Sequence, residues 1–245
     1  MKVAIVGATK GMGRALAREL VARGDAVCLL GRDPADLERS AADLRARSGS
    51  AVVVTGACDL EVPDGFDQAL DDAQRDLAGL DAVVVTAGMF AAQGDLESDP
   101  VLLRRVLSVD FTNTVLLCEA ARKRLLAAGG GTLCVFSSVA GDRGRKPVVL
   151  YGAAKAGLSA YLEGIDHRWH SAGLRTICVK PGFVRTGMTA GLAAPPFAGE
   201  PDAVARRVAR AIARGTPVVY APAIWRWVML VIRWMPRWVM RRVGF

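Results

Sequence analysis

The feature that most constrains the fold is a glycine-rich turn directly after an apolar run at the start of the chain. The run Val3–Val6 leads into G-A-T-K-G-M-G at Gly7–Gly13, and an amphipathic stretch continues to Arg23. The run predicts a buried β-strand and the stretch predicts a helix. A strand, a glycine turn and a helix in this order predict the first unit of a parallel α/β sheet. Because the apolar run is short and stops at Gly7, a secretion signal is not expected.

The rest of the chain repeats this alternation of apolar runs and helical patterns. The runs are apolar on both sides, which favours a single Rossmann-type, doubly wound parallel sheet of about seven strands with helices on both faces. The predicted strands are Val3–Val6, Ala26–Leu30, Ala51–Thr55, Ala82–Thr86, Thr132–Phe136, Arg175–Val179 and Val218–Tyr220. The predicted helices are Gly11–Arg23, Pro34–Arg47, one within Pro63–Leu77, Leu103–Ala127, Tyr151–Ser171 and Pro201–Arg214. A length of 245 residues suits one such catalytic domain, 1–222, followed by an amphipathic tail, 223–245.

The glycine turn predicts a dinucleotide-binding site. Gly7, Gly11 and Gly13 let the backbone approach a pyrophosphate, and the helix that follows offers free N–H groups and the positive end of its dipole. We expect Thr9 and Met12, which lie in the same turn, to line this site.

The end of the second strand indicates which dinucleotide is bound. Arg32 stands where a carboxylate would hold the ribose 2′-hydroxyl of NAD, and arginine there suits a 2′-phosphate. Lys10 could reach the same phosphate. NADP(H) is therefore favoured, whereas Asp33, one residue further on, leaves NAD(H) open.

Tyr151 and Lys155 form the pattern Y-G-A-A-K, which places a phenol and an ammonium group on one face of a helix. The nearby ammonium favours the phenolate and is expected to lower the pKa of Tyr151. Tyr151 could then give a proton to a carbonyl oxygen while its carbon is reduced. Ser138 follows the fifth strand, where its hydroxyl could hydrogen-bond that oxygen.

Together these residues resemble the short-chain dehydrogenase/reductase superfamily over essentially the whole chain. The resemblance implies a Ser-Tyr-Lys active site at Ser138, Tyr151 and Lys155, with the last two also contacting the cofactor. It further implies an adenine contact near Asp59 and Leu60. The segment K-P-G-F-V-R-T would clasp the nicotinamide through Pro181, Gly182, Val184 and Thr186.

Two positions depart from the family pattern. The usual N-N-A-G after the fourth strand is here V-T-A-G, which ends in Ala87 and Gly88. The asparagine that usually supports the catalytic lysine through water is replaced by Asp110 in V-D-F-T-N-T. Asn113, almost one helical turn further on, is an alternative. We therefore expect Asp110 to support catalysis and the proton relay to differ.

The tail from Ile224 combines arginine, tryptophan and aliphatic residues, and Pro236 is expected to kink or split its helix. On a helix the arginines fall on one stripe bordered by tryptophans, and an apolar back including Val228, Val231 and Ile232 faces away. This pattern is typical of a helix lying in a membrane interface, whereas a subunit contact or a substrate lid is the alternative. The arginines of the stripe are Arg226, Arg233, Arg237 and Arg241.

The distribution of charge, cysteine and histidine indicates which kinds of partner and ligand to expect. The net charge is +8, yet no acidic residue follows Asp202, so the basic character belongs to the C-terminal part. A nucleic-acid partner is not expected, because such a basic face is usually spread over a recognition surface. The five cysteines form no C-x-x-C pair and indicate reduced thiols in a cytoplasmic protein. No third ligand accompanies His167 and His170, so no metal site is expected.

The leading hypothesis is an NADP(H)-preferring reductase of a ketone, which would be a homo-oligomer on the cytoplasmic face of an anionic membrane. The tail and P-G-F-V-R-T-G-M resemble a branch of the family that reduces polyprenylphosphoryl keto-pentoses, which implies a lipid-linked substrate. A soluble 3-oxoacyl or general carbonyl reductase is the second hypothesis. The third is a nucleotide-sensing interaction protein without turnover.

Overall fold

Seven parallel strands form a single sheet in the computed structural model, which describes residues 1–49 and 51–244. Their spatial order is β3-β2-β1-β4-β5-β6-β7, and all six neighbouring pairs are parallel. The strands are β1 (Lys2–Val6), β2 (Ala26–Gly31), β3 (Val53–Ala57), β4 (Ala82–Val85), β5 (Gly131–Phe136), β6 (Leu174–Pro181) and β7 (Val218–Ala221). The predicted Rossmann-type α/β sheet is thus confirmed.

Helices cover both faces of the sheet because alternate strand residues point to opposite sides. Val3 and Ile5 of β1 belong to one buried core under α1, α2 and α8. Ala4 and Val6 belong to a second core under α3, α6 and α7. The helices are α1 (Gly11–Val21), α2 (Pro34–Ser48), α3 (Phe66–Asp76), α4 (Gln93–Ser98), α5 (Pro100–Leu107), α6 (Thr114–Ala127), α7 (Val149–Trp169), α8 (Pro201–Arg214), α9 (Trp225–Trp234) and α10 (Arg237–Arg242).

The prediction of one helix over Leu103–Ala127 is correct in position but incomplete in form. The helix α5 begins earlier than predicted, at Pro100, because the Asp99 side chain caps its first turn by accepting hydrogen bonds from the N–H groups of Val101 and Leu102. A π-helical turn, Ser108–Asn113, then separates α5 from α6. Such turns frequently occur at functional sites, and this one contains Asp110.

The order of the strands creates the crevice that the site occupies. The chain runs from β1 out to β3 at the edge and then returns to place β4 on the other side of β1. In open parallel sheets, ligands bind outside the carboxyl ends of the strands at this switch point. The glycine turn follows β1 and Thr86–Gly88 follow β4, so both segments flank the switch point.

The tail folds back onto the catalytic domain as two short helices, with the predicted break at Pro236. Trp225, Met229 and Ile232 of α9 are buried in a small cluster with Val139. The predicted apolar back of the helix is therefore divided: Ile232 is buried in this cluster and Val228 packs against it, whereas Val231 is exposed. None of the helices within 1–49 and 51–244 is both long enough and apolar enough to cross a membrane.

The side of α9 turned away from the domain is also apolar. We call the four exposed residues Trp227, Leu230, Val231 and Trp234 the outward stripe. Trp234 is the most exposed of them, at 82%. Arg226 and Arg233 flank the stripe and are exposed as well.

Candidate active site

The glycine turn after β1 is shaped for close backbone approach. Gly7 has a φ of 90°, a left-handed value that side chains disfavour. A Cβ atom at Gly13 would lie 2.1 Å from the carbonyl oxygen of Gly7, so only glycine fits there. The helix α1 begins at Gly11 and directs its first N–H groups towards the crevice. This cradle fits a pyrophosphate, as the sequence predicts.

A cavity of about 680 Å³ opens beside this turn. Most of the residues predicted to bind the cofactor line it, whereas Pro181, Gly182, Val184, Tyr151 and Lys155 do not. The predicted residues that line the cavity are Gly7, Thr9, Lys10, Gly11, Met12, Gly13, Arg32, Asp59, Leu60, Ala87, Gly88 and Thr186. The cavity thus brings together the glycine turn, the residues after β2 and β3 and Thr186, but not most of the residues predicted at the nicotinamide end.

Two basic side chains mark one end of the cavity, and each is held by a carboxylate that sequence reasoning missed. The Lys10 ammonium lies 3.0 Å from Asp36, and Arg32 lies 3.4 Å from Glu61. Glu61 also binds Arg105 at 2.6 Å, and hydrogen bonding from that guanidinium lowers the pKa of the Glu61 carboxyl. Neither contact could be inferred from the sequence, because Asp36 and Glu61 belong to no recognisable motif.

Asp33, the carboxylate that made NAD(H) an alternative cofactor, caps a helix in the structure. Its carboxylate accepts hydrogen bonds from the N–H groups of Ala35 and Asp36 and so caps α2. A carboxylate occupied in this way is a weaker candidate for the ribose 2′-hydroxyl. Arg32 lines the cavity directly before it and is 67% exposed, so its guanidinium remains accessible to a ligand.

Ser138, Tyr151 and Lys155 come together beyond the carboxyl end of β5. Tyr151 lies in the first turn of α7, and the Ser138 side chain is near enough to its phenol to lower the pKa of Tyr151 against the rise caused by burial. The Lys155 ammonium lies 5.7 Å from the centre of the Tyr151 ring. Phe90 packs edge-on against that ring at 5.2 Å, which fixes its plane. The predicted trio is therefore assembled at one place.

Asp110 and Asn113 are separated by the structure. Asp110 is fully buried, and its Oδ1 atom lies 3.3 Å from the Lys155 ammonium while accepting from the N–H group of Met89. Asn113 instead donates from its side chain to the carbonyl oxygen of Leu60. Asp110 thus occupies the position beside the lysine, and Asn113 braces the loop after β3.

The electrostatics of this cluster differ from the sequence-based expectation. Burial raises the pKa of the Tyr151 phenol, Lys155 opposes that rise, and the Asp110 carboxylate adds to it. Lys155 does lower the pKa of Tyr151, as expected, but the combined effect of burial, Lys155 and Asp110 is to raise it, so the expected direction of the shift is wrong. Burial disfavours the charged form of Lys155, yet attraction to Asp110 and Tyr151 prevails and raises its pKa.

The segment after β6 joins the site to the tail. Gly182 packs so closely under the Trp225 indole that a Cβ atom there would lie 2.1 Å from its Nε1 atom. Val184 is buried, and the chain then returns to the cavity at Thr186, whose methyl group faces Gly11. The tail therefore supports the segment predicted to clasp the nicotinamide.

The fold and this geometry define a dinucleotide-binding oxidoreductase with a Ser-Tyr-Lys cluster. Comparison with known proteins agrees: the family model described as short chain dehydrogenase matches residues 1–196. The chain belongs to the short chain dehydrogenase family.

Individual relatives extend over most of the chain. An uncharacterized oxidoreductase of Mycobacterium tuberculosis is 33% identical over 241 residues, covering 98% of this chain and 96% of that protein. The cis-4-hydroxycyclohexanecarboxylate dehydrogenase of Sinomonas cyclohexanicum is 33% identical over 195 residues, covering 79% of this chain and 77% of that enzyme. A short-chain dehydrogenase from Sphingobium yanoikuyae, solved in complex with NADPH, is similar with a TM-score of 0.82, 25% identity and coverage of 94% and 92%.

Proposed function

We propose that the protein is an NADPH-dependent reductase that converts a ketone on a lipid-linked substrate to a secondary alcohol. The observation that supports the reaction class is the assembly of Ser138, Tyr151 and Lys155 beside a dinucleotide-shaped crevice. The substrate class rests on the tail, which carries the outward stripe next to the active site.

The cofactor proposal rests on the glycine cradle and on the basic end of the cavity. Gly7, Gly11 and Gly13 would hold the pyrophosphate, and Lys10 with Arg32 would hold the 2′-phosphate. The structural neighbour bound to NADPH supports the same choice, while NAD(H) stays an alternative. When bound, the reduced nicotinamide supplies the hydride that reduces the carbonyl carbon.

The side chains of the site handle the oxygen and its proton. Ser138 would hydrogen-bond the carbonyl oxygen and polarise it. Tyr151 would then donate its phenolic proton to that oxygen as negative charge develops there. Lys155, held charged by Asp110, stabilises the tyrosinate left behind until solvent returns a proton.

The composition of the tail favours a reaction that takes place at the surface of an anionic membrane. Indole and aliphatic side chains of the outward stripe can enter the headgroup region, and flanking arginines can bind anionic lipid. Five arginines of the tail are exposed, two on α9 beside the stripe and three on α10: Arg226, Arg233, Arg237, Arg241 and Arg242. With no acidic residue after Asp202, this surface complements negative charge.

The inner side of the tail connects this surface to the site. Arg143 and Lys146, which follow Ser138 in the chain, donate to the backbone carbonyl oxygens of Met235 and Arg241. A substrate that leaves the bilayer along α9 would meet this loop first. The resemblance of the tail to decaprenylphosphoryl 2-keto-ribose reductase suggests a polyprenylphosphoryl keto-sugar as the substrate.

The reaction is tested by NADPH oxidation with polyprenylphosphoryl keto-sugars, 3-oxoacyl thioesters and simple ring ketones. We expect turnover with the first group to exceed that with the others. Preference for a thioester or a free ring ketone would favour a general carbonyl reductase instead. NADPH binding without oxidation of any ketone would favour the nucleotide-sensing alternative.

Membrane association is tested by co-sedimentation with anionic and neutral vesicles at low and high salt. We expect the wild type to pellet with anionic vesicles at low salt, and Trp227→Ser with Trp234→Ser to remain in the supernatant. A control pair, Val101→Ser with Leu116→Ser, removes exposed apolar side chains elsewhere and should still pellet.

The oligomeric mass separates the two partners that the outward stripe could have. If the tryptophan variants bind vesicles normally but have a smaller mass in light scattering than the wild type, the stripe contacts a second copy of the chain. The membrane part of the proposal would then be abandoned.

A further inference from the structure

Asp110 differs from every other carboxylate of the site in having no access to solvent. Its relative exposure is 0%, and the Lys155 ammonium with which it pairs is almost as buried. A Cβ atom at Gly88 would lie 2.8 Å from Oδ1 of Asp110, so glycine after β4 leaves just enough room for the carboxylate. Within the described residues, Oδ2 of Asp110 is buried without a hydrogen-bond partner.

The charge of this side chain, rather than its hydrogen bonding, needs an explanation. An asparagine could accept the same hydrogen bond from Met89, but its amide N–H groups would then lie buried where Oδ2 has no partner, so the unpaired position does not distinguish the two side chains. What the aspartate adds is a negative charge 3.3 Å from the lysine that supports Tyr151; burial raises the pKa of this carboxyl, and the Lys155 ammonium and the Met89 N–H group oppose that rise. The π-helical turn Ser108–Asn113 points that charge inward.

We propose that Asp110 is a positioning residue that keeps Lys155 charged but offsets part of its effect on Tyr151, so that Tyr151 remains a protonated phenol over the neutral and mildly alkaline range. This inference rests on the proposed function, in which Tyr151 is the proton donor. A neutral residue at this position would leave the ammonium uncompensated and would make the tyrosinate easier to form.

The surroundings of the cluster are consistent with this assignment. Cys178 on β6 faces the lysine as a buried thiol, and burial raises its pKa, so it stays neutral. Beyond it, Lys180 pairs with Asp142 at 2.5 Å, which makes that pair close to neutral as a unit. The charges that act directly on Tyr151 are therefore those of Lys155 and Asp110.

The test is a titration of tyrosinate absorbance in the protein without cofactor or substrate. The contribution of Tyr151 is isolated by subtracting the same titration of Tyr151→Phe. In the wild type we expect Tyr151 to ionise above the ordinary tyrosine pKa of about 10. In Asp110→Asn we expect the ratio of tyrosinate to phenol at a given pH to rise on the order of tenfold, the usual effect of removing one nearby like charge.

Asp142→Asn is the matched control, because it also removes a carboxylate from a buried aspartate–lysine pair near the site. Measured against its own Tyr151→Phe version, it should leave the titration of Tyr151 unchanged. An unchanged titration in Asp110→Asn, or an equal change in both variants, would overturn the proposal. If Asp110→Asn does not fold, ionisation of wild-type Tyr151 below its ordinary pKa would overturn it.

A pH profile of ketone reduction adds an independent measurement. The alkaline limb of kcat/KM should move to lower pH in Asp110→Asn, because the proton donor is lost earlier. If no ketone is reduced by the wild type, the proposed function fails, but the titration without substrate still decides the role of Asp110.

Discussion

The sharpest test of cofactor choice is the substitution Arg32→Asp. Arg32 directly follows β2, lines the cavity and pairs with Glu61 at 3.4 Å. The pair is largely exposed, so losing it should cost the fold less than about 1 kcal/mol. The effect on a bound 2′-phosphate should be larger, because a guanidinium–phosphate hydrogen bond is charge-assisted.

The size of that effect follows from the loss of one such bond. Hydrogen bonds to charged groups contribute about 1.5–3 kcal/mol, which corresponds to a change of roughly 10- to 150-fold in Kd. Lys10 remains at the same end of the cavity, so binding of NADPH should be weakened rather than lost. NADH lacks the phosphate, and its affinity should stay the same or improve as the new carboxylate meets the ribose hydroxyls.

The assay is a fluorescence titration of NADPH and NADH with wild type and variant. Arg104→Asp is the control, because it makes the same change of charge on α5 but does not line the cavity. A wild type that prefers NADH would refute the reasoning. So would an Arg32→Asp variant that loses affinity for both dinucleotides equally, or a control that behaves in the same way.

Three further outcomes are expected. Gly13→Ala should abolish dinucleotide binding in the same titration, because its Cβ atom would lie 2.1 Å from the Gly7 carbonyl oxygen; normal binding would contradict the cradle. Tyr151→Phe should abolish ketone reduction but keep NADPH affinity, since only the proton donor is removed. Met229→Ala should lower the free energy of unfolding by about 2–5 kcal/mol in urea, because Met229 is fully buried. Leu230→Ala, at an exposed neighbour, should change it by less than about 1 kcal/mol.

The sheet could be predicted from the sequence because each strand is a separate apolar run bounded by turn residues. The exact ends of a strand are harder to predict: the sequence predicts β3 at Ala51–Thr55, whereas the strand occupies Val53–Ala57. Its register is set by pairing with β2, in which Val27 lies opposite Val53 and Gly31 opposite Ala57. Such pairing is a tertiary contact, and no local pattern near β3 contains it.

The candidate site divides in a similar way between what is local and what is not. The glycine turn and the Tyr151–Lys155 spacing are local patterns, and the structure places both as expected. The sign of the change in the pKa of Tyr151 was wrong, because it depends on burial and on Asp110, which is 41 positions away along the chain. Asn113 and Asp110 could be told apart only by the π-helical turn that points them in different directions.

The tail shows why a hydrophobic pattern can predict a surface helix and still assign its faces wrongly. On α9, Trp225, Met229 and Ile232 cluster on one side, while Trp227, Leu230, Val231 and Trp234 cluster almost opposite. A helix that only closes a core needs one apolar face. The second face, with an arginine on its border in each of two turns, has no such role within the described fold. This remaining face is the physical reason to expect an external apolar partner, and the vesicle and mass measurements decide between lipid and a second copy.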